Sequence, residues 1–260
     1  MSSVKKSITP EEYLNRWDDI VWSYSRVSSF YNCPHTWKLT YLDKIESGNY
    51  FAFRGTAVHE CMEDLYNYLL QGGKPLSNEV VRDTISAKFA NKMLDCPYPP
   101  KMYFRGKDGK VGGKVQNEWK IINSIQEYIP RQDILHVERE IFVDVRGYKF
   151  RCLLDAETDY SHIDYKSSWS KPNYFHQQVL YGYAKSTTQK LFPKFFDVCE
   201  YNNGFKDVRV EFTKLDVKDT FNYLEKGIKD IRKALEDNNF PKKADPFFCL
   251  NLCRGCELGK

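Results

Sequence analysis

Near residue 134 the hydrophobic period of this 260-residue chain changes from helical to alternating, which restricts the folds open to it. Leu135-His136-Val137-Glu138-Arg139-Glu140-Ile141-Phe142-Val143 and the stretch 148–158 read as two strands joined at Arg146-Gly147, and 162–167 reads as a third. A helix is predicted over 173–186, followed by strands near 194–201 and 208–212 and a charged helix over 217–237. A helix between strands supplies the crossover that a parallel pair requires. The expected class is therefore α/β, with a mixed central sheet flanked by helices.

The first half of the chain reads as helical. A pattern beginning at Ser25 (Val27, Phe30, Tyr31) pauses at Cys33-Pro34 and resumes through Trp37, Leu39, Tyr41 and Leu42. Residues 55–70 form an amphipathic pattern on Val58, Cys61, Met62, Leu65, Tyr66 and Leu69, and 78–94 and 115–129 read as two more helices. A hydrophobic fraction of 42% with 15% aromatics suffices for a sizeable core. No apolar run approaches the roughly 20 residues that span a bilayer, and no apolar segment follows Met1-Ser2-Ser3-Val4-Lys5-Lys6, so a cytoplasmic, non-membrane protein is expected.

Eight cysteines are present, and Cys249, Cys253 and Cys256 crowd into the last 12 residues. Three thiolates on so short a segment suggest a metal or cluster site, and a fourth ligand must come from elsewhere. Cys33, at a break before Pro34, is a candidate; the alternative is a small buried hydrophobe. Between 96 and 114 a Pro- and Gly-containing stretch carries Lys101, Arg105, Lys107, Lys110 and Lys114 against Asp108 alone. It reads either as a solvated loop or as a nucleic-acid contact.

The chemistry-bearing residues lie on the second and third strands. Asp164 and Lys166 share one face because side chains alternate, and a hairpin at 160–161 brings Asp155 level with 164–166. Two carboxylates that close repel unless a cation or a shared proton compensates them. Oxygen ligands of this kind suit Mg²⁺ or Mn²⁺, and a neighbouring ammonium can position water for metal-assisted phosphodiester hydrolysis. An exposed hairpin with a salt bridge is the alternative for these residues taken alone.

In sequence order, Ser23-Tyr24-Ser25-Arg26-Val27 to Cys33-Pro34, Phe53-Arg54-Gly55-Thr56-Ala57-Val58-His59-Glu60, Leu154-Asp155, Ile163-Asp164-Tyr165-Lys166, Gln177-x3-Tyr181 and the C-terminal cysteines recur as one set. The set resembles the RecB-like branch of the PD-(D/E)xK nuclease superfamily, which includes the CRISPR-adaptation exonucleases and the AddB-type nucleases with an iron–sulfur cluster. Leu154 stands where the eponymous motif has proline, and Cys249-x3-Cys253-x2-Cys256 departs from that branch's usual Cys-x2-Cys-x5-Cys.

The resemblance implies a restriction-endonuclease-like sheet and a metal-dependent DNA nuclease, with exonuclease action on single-stranded or end-containing DNA in recombination, repair or phage DNA processing. Recombination or replication proteins are the implied partners. It implies His59, Asp155, Asp164 and the Tyr165 carbonyl as ligands of Mg²⁺ or Mn²⁺, Lys166 beside the attacking water, and Gln177 and Tyr181 supporting the lysine and the substrate backbone. Glu63, one turn after His59, is expected to be solvated. A 4Fe-4S cluster on Cys33, Cys249, Cys253 and Cys256 is implied, with structural zinc as the alternative. A non-catalytic DNA-end-binding protein with a structural cluster or zinc is the rival function. The expected divisions are an extension at 1–22, a helical subdomain at 23–130, a nuclease core at 131–240 and a cluster-binding segment at 241–260.

Overall fold

The computed structural model describes residues 6–45, 48, 50–73, 76–97, 118, 121–125, 133–166, 174–189, 195–200 and 206–243. The elements are α1 (Pro10–Leu14), α2 (Tyr24–Asn32), α3 (Pro34–Tyr41), α4 (Tyr50–Leu70), α5 (Asn78–Leu94), β1 (His136–Val145), β2 (Tyr148–Glu157), β3 (His162–Lys166), α6 (Phe175–Gln189), β4 (Phe195–Glu200), β5 (Lys206–Glu211) and α7 (Lys214–Glu236). Residues 118 and 121–125 are helical as well, inside the stretch expected to be a helix. No helix among the described residues is long and apolar enough to cross a membrane.

The five strands form one sheet in the order β1-β2-β3-β4-β5. β2 and β3 pair antiparallel with Ala156 opposite Ile163, β3 and β4 pair parallel with Asp164 opposite Val198, and β4 and β5 pair antiparallel. The sheet is therefore mixed, with α6 as the crossover, in agreement with the sequence pattern. Arg146 (φ 54°) and Gly147 (φ 87°) both adopt left-handed conformations between β1 and β2. Two successive positive φ values suit a tight hairpin, and the Gly147 N–H donates to Asp144 Oδ1 at 3.1 Å.

The described residues divide into two compact units that are interleaved in sequence. One takes those of Met1–Gly48, Phe142–Cys152 and Lys214–Lys260; the other takes those of Asn49–Ile141 and Leu153–Thr213. In the first unit, Ser23 caps α2 and Pro34 begins α3 directly after Cys33. Trp37 is fully buried, stacks on Phe240 and donates through Nε1 to the Arg26 carbonyl at 3.0 Å. Helix α7 lies close to α2 where Gly227 meets Val27 and Tyr31, a contact that a Cβ at 227 would block.

In the second unit, α5 buries Val81, Ile85, Phe89 and Met93 at four-residue spacing. They join Ala57, Val58, Cys61, Met62, Leu65 and Tyr66 of α4 and Ile163 and Tyr165 of β3 in one apolar cluster. Helix α4 begins at Tyr50 rather than near Gly55, because Tyr50 is itself buried in that cluster and extends the helix by a turn. Its core face leaves His59 on the neighbouring side.

The end of the β2–β3 hairpin is held by buried polar groups. Thr158 and Ser161 bond through their backbones at 2.9 Å and through their hydroxyls at 2.9 Å. Glu157 is fully buried and accepts two bonds from Arg139 Nη1, at 2.8 and 2.9 Å, and one from Lys185 Nζ at 3.3 Å. Lys185, also fully buried, donates in addition to the Thr158 carbonyl. Removing one partner of a buried ionic network strands the others without compensation. Glu157→Ala is therefore expected to lower unfolding free energy by about 3–5 kcal/mol, measured by urea denaturation, whereas exposed Lys226→Ala should change it little.

Candidate metal centre and active site

Strands β2 and β3 carry the two carboxylates, and their register places Asp155 opposite Asp164. Both are nearly excluded from solvent, at 8% and 2% exposure. Each is compensated differently. Asp164 takes Lys166 Nζ on both oxygens, at 2.8 and 2.6 Å, and accepts from Gln178 Nε2 on Oδ2 at 2.6 Å. Asp155 Oδ2 accepts the Tyr165 backbone N–H at 2.7 Å and lies 3.5 Å from His59 Nδ1.

Helix α4 delivers His59 to β3, where its Nε2 lies 2.6 Å from the Tyr165 carbonyl oxygen. A carbonyl only accepts, so Nε2 donates to it and Nδ1 is turned toward Asp155. A ring nitrogen fixed in one tautomer by a backbone carbonyl is the usual arrangement of a metal-binding histidine. His59, Glu138 and Asp155 each offer a ligand atom, and these atoms lie within 4.8 Å of one another. One imidazole nitrogen and two carboxylates are a donor set suited to Mg²⁺ or Mn²⁺. The residues present therefore fit a divalent cation.

Glu138 was missed by the sequence reading. It sits in β1 with φ 50°, in the left-handed region that strand residues normally avoid, and so breaks the regular pleat. It lines a cleft of about 430 Å³ with Gly55, Thr56, His59, Glu60 and Glu63. Burial, and then the Glu63 carboxylate, push the Glu138 carboxyl above its ordinary range. Glu63, expected to be merely solvated, thus faces the cleft. The local signal was a glutamate next to Arg139 in an alternating strand, which by itself points outward.

The other half of the site is a chain of side chains from Asp164. Lys166 Nζ donates to Gln177 Oε1 at 3.2 Å, and Gln177 Nε2 donates to the Tyr181 hydroxyl at 3.1 Å. The one-turn spacing of Gln177 and Tyr181 on α6 makes this possible. Tyr174, just before α6, places its ring 4.5 Å from the Lys166 nitrogen. Burial disfavours the Lys166 charge, but Asp164 and Asp155 outweigh it and hold the ammonium form above its ordinary range.

The predicted residues His59, Asp155, Asp164, Tyr165, Lys166, Gln177 and Tyr181 thus occupy one region of the second unit, while the two oxygens of Asp164 are already engaged by Lys166 and Gln178. Cys33 lies in the other unit, buried ahead of α3. Burial pushes its thiol up, but hydrogen bonds involving Thr36, Lys243 and His35 outweigh this and bring it below the usual range. Cys249, Cys253 and Cys256, and the basic residues Lys101, Arg105, Lys107, Lys110 and Lys114, lie outside the described residues.

The family model of the PD-(D/E)XK nuclease superfamily matches residues 21–259. A crystal structure of a candidate exonuclease from Eubacterium rectale superposes with a TM-score of 0.47 at 12% identity, covering 97% of this chain and 92% of that one. No curated protein matches the sequence.

Burial, then repulsion from Asp164, raise the Asp155 carboxyl from 3.8 to about 7. The folded protein therefore binds this proton more tightly than the unfolded chain does. The stability contribution of Asp155 is complete below its unfolded value of 3.8, declines as pH rises and is lost above about 7. Without divalent cations, the melting temperature of Asp155→Asn relative to wild type is expected to rise across that window and level off above it. A difference independent of pH would show that Asp155 is not held in this state.

Proposed function

The chain belongs to the PD-(D/E)XK nuclease superfamily, and on that premise we propose that it is a metal-dependent deoxyribonuclease hydrolysing DNA phosphodiesters. The observation that carries this reading is the β2–β3 hairpin with Asp155, Asp164 and Lys166 facing His59 and Glu138. His59, Asp155 and Glu138 would hold Mg²⁺ or Mn²⁺, while Asp164, engaged by Lys166 and Gln178, and the Tyr165 carbonyl, engaged by His59 Nε2, lie beside them. When bound, the cation supplies Lewis-acid polarisation of the phosphate and charge compensation for the carboxylates.

The remaining steps belong to the chain's own residues. Lys166, kept as an ammonium, donates hydrogen bonds beside the scissile phosphate, orienting water and stabilising negative charge as it develops. Gln177 accepts from Lys166 and donates to Tyr181, which together hold the lysine in place. Asp155, whose carboxyl is raised to about 7 by burial and by Asp164, would offer an oxygen to the cation, whose charge would offset that repulsion.

The finer assignment rests on the order of motifs from Ser23 to Cys256. It supports a RecB-like exonuclease acting on single-stranded or end-containing DNA in the cytoplasm, in recombination, repair or phage DNA processing, alongside recombination or replication proteins. The basic stretch Lys101, Arg105, Lys107, Lys110 and Lys114 contacts DNA phosphates. Cys33, Cys249, Cys253 and Cys256 bind a 4Fe-4S cluster, a reading supported by the family resemblance and by the lack of a histidine after His176 for a mixed zinc site.

End-labelled single- and double-stranded DNA, incubated with Mn²⁺, should be degraded by the wild type and spared in EDTA, with covalently closed circles left intact. Lys166→Ala should reduce cleavage by at least about 10²-fold while retaining DNA binding. Cleavage of closed circles would replace exonuclease by endonuclease action, and wild-type turnover by Lys166→Ala would remove the lysine from the mechanism.

Anaerobically purified protein is expected to be brown and to contain about four iron atoms per chain, and Cys33→Ser should lose both properties. Stoichiometric zinc without iron would assign a structural zinc site instead.

A further inference from the structure

Two adjacent glutamines on α6 meet the Asp164–Lys166 pair, Gln177 at the lysine and Gln178 at the aspartate. Gln177 receives Lys166, as the sequence motif leads one to expect, but Gln178 is the more deeply placed of the two. It is fully buried, and it bonds at both ends: Nε2 to Asp164 Oδ2 at 2.6 Å and Oε1 to His162 Nε2 at 2.8 Å. His162 is also fully buried. The directions of these bonds follow from chemistry. Lys166 Nζ lies within 2.8 Å of both Asp164 oxygens, and the Gln178 amide turns its NH₂ toward Oδ2 to donate to it. Its carbonyl oxygen then faces His162 and accepts from an Nε2–H. A flipped amide would set its oxygen against the Asp164 carboxylate and the N–H groups of Gln178 against that of His162.

We propose that Gln178 is a positioning residue for the metal centre. Locked by His162, its amide fixes the rotation of the Asp164 carboxylate and thereby the placement of Lys166 and the charge facing Asp155. The inference rests on the reading of Asp155 and its neighbours as a divalent-cation site. It gives a role to a residue that contacts neither the cation nor the substrate, and to His162, which no motif marked. A buried glutamine used only for packing would not need a directed partner at each end of its amide.

The experiment is Mn²⁺ titration of the full chain by calorimetry, with thermal melting of each variant alongside. Gln178→Met, which keeps the volume but removes the donor, is expected to weaken Mn²⁺ binding about 10- to 100-fold, the usual cost of losing an outer partner of a metal ligand. His162→Phe should weaken it in the same direction, and the double variant should bind no worse than Gln178→Met, because the two residues act as one unit. Phe89→Leu, a core change in the same unit, should lower the melting temperature and leave Mn²⁺ affinity unchanged. Wild-type Mn²⁺ affinity in Gln178→Met, or additive losses in the double variant, would overturn the proposal while leaving the metal site in place. Should Gln178→Met fail to fold, the single His162→Phe variant decides by the same titration, with unchanged affinity overturning the proposal. Absence of Mn²⁺ binding by the wild type would overturn the metal-site reading and this proposal together.

Discussion

Two carboxylates opposed across an antiparallel ladder and cut off from water are the constraint around which this site is organised. Asp155 and Asp164 cannot both remain ionised there without compensation, and the fold supplies it unequally. Asp164 receives an ammonium and an amide. Asp155 receives one backbone N–H and the His59 ring, which do not offset burial and the repulsion from Asp164, so its carboxyl rises to about 7. This asymmetry divides the labour: one carboxylate anchors Lys166, while the other is left poised for a cation.

Such an arrangement needs a rigid support, because a slip of one residue between β2 and β3 would send the two aspartates to opposite faces. The register is secured beyond the site by the Thr158–Ser161 turn and by Glu157 with Arg139 and Lys185. Burying Glu157 and Lys185 is costly, and a purely apolar cluster of the same shape is often at least as stable. What the ionic network adds is direction, since Glu157 meets its partners in one register and β2 enters the site in one phase.

Much of the site was legible in the sequence because its signals are local. Asp164 and Lys166 share a strand face by alternation, Gln177 and Tyr181 share a helix face by the 3.6-residue period, and the turn at Arg146-Gly147 follows from glycine's tolerance of positive φ. Glu138 was not legible. Strand alternation assigns it to the outer face, and only a left-handed residue in an otherwise regular strand turns it to the cleft. Gln178 was passed over for a similar reason. Next to the motif residue Gln177 it reads as helix packing until Asp164 and His162 are seen at the two ends of its amide.

The sequence by itself determined the order of elements, the mixed sheet with its crossover helix, and the set of charged residues on β2 and β3, because periodicity and turn chemistry act over a few residues. Only the tertiary structure decided how these groups are partnered: which aspartate takes the ammonium, which nitrogen of His59 meets the Tyr165 carbonyl, and that Glu138 stands beside His59 and Asp155. Those outcomes depend on burial and on partners brought together from distant parts of the chain, as when α4 carries His59 to the Tyr165 carbonyl. Their energies come from desolvation and hydrogen-bond direction, neither of which is defined until the chain has folded.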